Sequence, residues 1–85
     1  GTLENTFRLH ALSVTALAAV SNKFALSGSN DHFIKLFNLH NGNVLRSFMF
    51  HTSVTSLAVL PDGLRFVSGS YDGTARIIYH GIWNV

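Results

Sequence analysis

Ser27-Gly28-Ser29-Asn30-Asp31 returns as Ser68-Gly69-Ser70-Tyr71-Asp72, and the same displacement of 41 residues carries Gly1, Phe7 and His10 onto Gly42, Phe48 and His51. A repeat of that length is a whole supersecondary unit, which hides its apolar face only by stacking on a neighbour. The 85 residues therefore read as two such units, about 1–41 and 42–82, in one continuous array with no linker between them.

Turn chemistry cuts each unit into short pieces. Asn41-Gly42, Pro61-Asp62-Gly63 and Asp72-Gly73 are reverse-turn signals, because glycine and asparagine accept a positive φ and proline presets the first turn position. The Val, Ile, Phe and Leu runs between them are too short for stable helices and predict antiparallel strands. Leu3 to Leu9 and Val44 to Phe50 alternate as half-buried strands do. Val14 to Val20 and Val54 to Leu60 follow, with Ala16, Ala18, Ala19 and Ala58 keeping them slim enough for a crowded inner position. Phe24 to Ser27 and Leu64 to Ser68 come next, then Phe33 to Phe37 and Thr74 to Ile78. Each unit thus offers four strands and no helix, an all-β chain.

Composition says what must cover this chain. It is 47% hydrophobic and only 12% charged, so a compact monomer of this size would leave much apolar surface to be covered by neighbours. The net charge of +2 comes from six basic residues, Arg8, Lys23, Lys35, Arg46, Arg65 and Arg76, which are spread singly. Without a basic block, neither nucleic acid nor an anionic membrane is expected as a partner. There are no cysteines, which excludes disulfides and thiolate metal sites. Gly1 to His10 lacks the cationic lead into an apolar core that a signal peptide has, and the stretch from Leu12 to Leu26 is too interrupted by polar residues to span a bilayer. An intracellular, cytoplasmic place is the expectation.

An inner Val-x-x-Leu-Ala strand, a Pro-Asp-Gly turn, then Ser-Gly-Ser-x-Asp-Gly-Thr and a basic-apolar strand resemble the WD-repeat β-propeller family, in which each repeat forms one four-stranded blade. The resemblance covers essentially the whole chain and is most specific over Pro61 to Ile78. It departs from the family pattern where the Trp-Asp pair would stand: Phe37-Asn38 and Ile78-Tyr79 replace it, and Trp83-Asn84 follows about five residues late. Leu9 and Phe50 stand in place of the glycine of the family's Gly-His pair.

The resemblance implies a buried hydrogen-bonded network in each blade. It maps onto His10, Ser27 and Asp31 in the first and His51, Ser68 and Asp72 in the second, each reduced to three members by loss of the tryptophan donor. A His-Asp-Ser set also has the composition of an acyl-transfer triad. Its recurrence at the same repeat positions, with no Gly-x-Ser-x-Gly elbow, favours a stabilising role over catalysis. No His-Glu-x-x-His or paired-cysteine spacing points to a metal, and the remaining histidines, His32, His40 and His80, fall at turns or strand ends.

What the resemblance implies for binding is a rim at one end of the central channel. The rim residues are Ser13 and Thr15 around a buried Val14, Ser53 and Thr55 around Val54, then Asn30 and Tyr71 ahead of the turn aspartates. Tyr71 alone has the size of an interface anchor. The expectation is two blades of a larger or oligomeric propeller, opening on an outer strand and closing on a third strand. It would assemble with copies of itself or with further blades, bind protein or peptide ligands at the rim, and use no cofactor. The other readings are a purely structural subunit of a large complex, and an enzyme or metal-binding ring built on the repeated His-Asp-Ser sets.

Overall fold

A computed structural model describes residues 6–79. Seven strands follow one another, β1 (Val14–Ala19), β2 (Phe24–Ser29), β3 (Phe33–Asn38), β4 (Val44–Met49), β5 (Val54–Val59), β6 (Arg65–Ser70) and β7 (Ala75–Tyr79). They form two antiparallel meanders, a four-stranded sheet ordered β1-β2-β3-β4 and a three-stranded sheet ordered β5-β6-β7. Within each sheet consecutive strands pair because short turns join antiparallel neighbours, whereas β4 and β5, linked by residues 50–53, lie in different sheets.

The repeat is visible in the register. Val14 faces Ser29 and Val54 faces Ser70, and each of these strand pairs carries an irregularity immediately after the valine. The turn before β3 places His32 at φ 75°, and the turn before β7 places Gly73 at φ 85°. One unit therefore meets with glycine, and the other with histidine, a backbone conformation that a side chain makes costly.

The core lies between the two sheets, where Leu26, Ile34, Leu36, Phe50, Val54 and Phe66 are buried together. Each such side chain contributes roughly 1.5–3 kcal/mol by leaving water. Phe48 of β4 meets Phe66 edge-on at 5.4 Å, so the outer strand of the first sheet packs on the middle strand of the second. Gly28 lets the two sheets approach closely, since a Cβ there would stand 2.6 Å from Val54 Cγ1.

Two expectations differ from the fold. No strand runs through residues 6–9, the described part of the outer strand read over Leu3 to Leu9. A strand needs an edge to pair with, and none of the described strands pairs with residues 6–9. Phe7 instead turns edge-on to Phe37 at 6.3 Å. Val14, read as buried, is 48% exposed, whereas Val54 is fully buried. Val54 lies between the sheets, while Val14 lies on the flank where no described blade packs. His80 and Trp83-Asn84 lie outside the described residues.

Candidate functional site

The first His-Asp-Ser set is assembled by three separate stretches of one blade: the corner leading into β1, the second strand β2 and the β2–β3 turn. His10 Nδ1 lies 3.0 Å from Asp31 Oδ2, and His10 Nε2 lies 2.7 Å from Ser27 Oγ. A carboxylate only accepts, so Nδ1–H donates to Asp31, and Nε2 shares the second bond with the Ser27 hydroxyl. The His10 side chain is fully enclosed and that of Asp31 is 10% exposed.

Asp31 organises more than the histidine. It also accepts from the backbone N–H groups of Phe33 at 3.0 Å and Ala11 at 3.2 Å, tying the turn to the corner. Burial pushes its carboxyl upward, but the Phe33 amide, His10 and the Ala11 amide outweigh that and hold it below its ordinary value of 3.8. Lys35 Nζ donates to the Leu9 carbonyl at 2.6 Å, and the Ser29 hydroxyl donates to that of Leu12 at 3.3 Å, fixing the corner on both sides of His10.

The second set is not brought together. His51 is exposed and has no hydrogen bond to Asp72 or Ser68. Asp72 instead accepts from the Thr74 hydroxyl at 2.6 Å and the Thr74 amide at 3.0 Å, and these two bonds hold its carboxyl below 3.8. Ser68 Oγ is buried without a hydrogen-bond partner. The cause is the length of the corner. Ala11, Leu12 and Ser13 separate His10 from Val14, but only Thr52 and Ser53 separate His51 from Val54.

Both corners are pinned alike at the strand end, with Asn30 N–H donating to Ser13 and Tyr71 N–H to Ser53 at 3.1 and 3.0 Å. Counted back from the valine, the place of His10 therefore falls to Phe50. Phe50 is buried, with the Arg76 guanidinium 5.6 Å from its ring centre, and the imidazole is carried one residue too far out. That one-residue deficit is the signal in the sequence that the residue-by-residue mapping passes over.

Ser27 is enclosed, with 0% exposure, and in this triad-like geometry its hydroxyl and the His10 ring are bonded to each other. Among the described residues no three His, Asp or Glu side chains gather where they could hold a metal.

The proposed rim residues occupy equivalent places in the two blades. The carbonyls of Ser13 and Ser53 close the turns carrying Asn30 and Tyr71, as described above. The Thr15 hydroxyl is shared between the Gly28 carbonyl at 3.3 Å and the Val54 carbonyl, which binds one sheet to the other. Asn30 and Thr55 are exposed, Ser53 is partly covered, and Tyr71 is 82% exposed on its tight turn.

A four-stranded and a three-stranded antiparallel meander packed face to face, with their first strands side by side, have the arrangement of β-propeller blades. A family model described as "WD domain, G-beta repeat" matches residues 1–38 and again 42–78. The chain belongs to the WD-repeat family. It is 36% identical over 78 residues to the U3 small nucleolar RNA-associated protein 15 homolog of Xenopus laevis, covering 91% of this chain and 15% of that protein. Against human striatin it is 36% identical over 62 residues, 72% of this chain and 7% of striatin.

Among solved structures, the computationally designed Ika4 protein superimposes with a TM-score of 0.78 at 31% identity, covering 95% of this chain and 51% of Ika4. The β-propeller domain of Myceliophteria thermophila Cps50 (Swd1) gives 0.80 at 18% identity over 91% of this chain and 25% of its own, a likeness of fold alone. The chain thus spans a small part of these natural relatives and about half of Ika4.

Proposed function

We propose that the chain is a non-catalytic protein-interaction scaffold, a two-blade propeller segment that assembles with copies of itself or with further blades and takes protein or peptide ligands at the rim. The observation that carries the ligand site is Tyr71: a large amphipathic side chain, 82% exposed, held on a tight turn among small polar neighbours. One relative is named as a small nucleolar RNA-associated protein, which fits work within a larger assembly inside the cell and sets a nucleolar place beside the cytoplasmic one. The enclosed Ser27 hydroxyl supports the absence of chemistry at the His10 set.

Replacing Tyr71 with alanine is expected to weaken a captured peptide or protein ligand by about 1 kcal/mol or more, as truncation of an interface anchor does, while leaving the melting temperature unchanged. Calorimetric titration reads this directly. Unchanged affinity would remove the Tyr71 rim from the account.

The purely structural reading draws on a different observation. Leu17, Met49, Ile77 and Tyr79 are each at least 60% exposed, an apolar surface suited to permanent cover by further blades.

A further inference from the structure

Three turns of this chain are built alike, and one of them carries an amide where the other two carry acids. Asn41-Gly42, Asp62-Gly63 and Asp72-Gly73 each hold the glycine at positive φ, 76°, 70° and 85° in turn. In each, Oδ1 of the first residue accepts from the backbone N–H two positions on, that of Asn43 at 2.9 Å, Leu64 at 2.9 Å and Thr74 at 3.0 Å. Asn41, Asp62 and Asp72 are all exposed.

We propose that Asn41 is a site of spontaneous modification, at which the carboxamide becomes a carboxylate through a cyclic imide formed with its own backbone. Asparagine is a thermally labile side chain. The Gly42 nitrogen attacks Asn41 Cγ, a C–N bond forms, the bond from Cγ to the amide nitrogen breaks, and ammonia leaves with the proton that Gly42 gave up. Water then opens the imide at either carbonyl, giving aspartate, or isoaspartate with the main chain running through the β-carbon. The two aspartates do not compete. The Leu64 amide and Arg65 hold the carboxyl of Asp62 below its ordinary 3.8, the Thr74 hydroxyl and amide do the same for Asp72, and an ionised carboxylate resists such attack. Nor do the other described asparagines. Asn38 makes the same kind of bond, to the His40 amide at 2.7 Å, but Leu39 follows it, while Lys23, Asp31 and Val44 follow Asn22, Asn30 and Asn43. A side chain at that place crowds the attacking nitrogen, and glycine has none.

Two bonds of the turn pull in opposite senses. The Asn43 N–H draws electrons from the Asn41 carboxamide and favours attack, whereas the Gly42 N–H is committed to the Asn38 carbonyl at 2.8 Å. The second governs the rate, because the carboxamide carbon is electrophilic with or without Asn43, but the nitrogen cannot attack until it has lost that proton. The folded turn therefore slows the conversion without preventing it. Isoaspartate adds a main-chain carbon where there is little room: a Cβ on Gly42 would stand 2.5 Å from Phe7 Cδ1, and the Asn38 N–H is held to the Asn43 carbonyl at 2.8 Å.

The test is prolonged incubation of the chain at mildly alkaline pH, followed by peptide mass mapping. The amide-to-acid mass gain is expected first at Asn41, with release of ammonia, and severalfold faster in guanidinium chloride. The Asn41→Gln chain should show no gain at that position over the same period, since its imide ring would be larger. A gain that comes first at Asn22, Asn30, Asn38 or Asn43, or none at Asn41, would overturn the site. A rate that guanidinium chloride does not raise would overturn the control by the Gly42 N–H. The separated isoaspartate form should melt below the Asn41→Asp chain, whose carboxylate still accepts from Asn43, and equal melting temperatures would overturn the strain assigned to the lengthened turn.

Discussion

The two serines Ser27 and Ser68 are the same residue in the repeat, yet their hydroxyls have opposite fates. Ser27 is bonded to His10, whereas Ser68 is enclosed with no partner. A buried hydroxyl that keeps its bond contributes about 1 kcal/mol, and one that has none costs its desolvation. Ser27→Ala is therefore expected to destabilise the fold by about 1–2 kcal/mol, with the freed His10 Nε2 adding to the loss, while Ser68→Ala is neutral or stabilising. Urea denaturation of the two variants checks this, and equal losses would mean that the second set closes after all. The composition of both sets could be read from the sequence by repeat position. Repeat position alone does not give closure, which depends on the chain length between the histidine and the strand: the two-residue spacer before Val54 places Phe50, not His51, inside.

Strands were the most legible level. Alternation and turn residues locate all seven within a residue or two, because every strand is short and bounded by a turn whose chemistry is local. β2 and β6 extend past the expected Ser27 and Ser68 to Ser29 and Ser70, where pairing to Val14 and Val54 holds the extra residues extended. What local chemistry does not specify is whether a partner edge exists, and that is why Leu3 to Leu9 read as a strand.

The turns themselves allow a direct comparison. His32 and Gly73 hold equivalent positive-φ positions, and His32 N–H donates to Ser29 as Gly73 N–H does to Ser70. His32→Gly relieves the left-handed strain and gives back part of that gain as unfolded-state entropy, so a net stabilisation of a few tenths to about 1 kcal/mol is expected. Thermal melting of the variant reads it, and a lowered melting temperature would show that the His32 side chain holds the turn in place.

At the scale of the whole molecule, two blades pack one face of each sheet, and among the described residues no strand covers the outer flanks or pairs with the far edge of β7. Low charge and exposed Leu17, Met49, Ile77 and Tyr79 make this the surface of an unfinished ring, and propellers close with about 4 to 8 blades. Two blades per chain and about four chains would reach the upper end of that range. The period of the repeat made the blades legible at once, whereas the number of blades in a closed ring depends on the angle between successive blades, which no residue pattern encodes. Sedimentation equilibrium of the chain over a wide concentration range tests this most directly: the account predicts a defined multiple of the 9.3 kDa chain mass, about fourfold, and a folded species of 9.3 kDa at every concentration would contradict it.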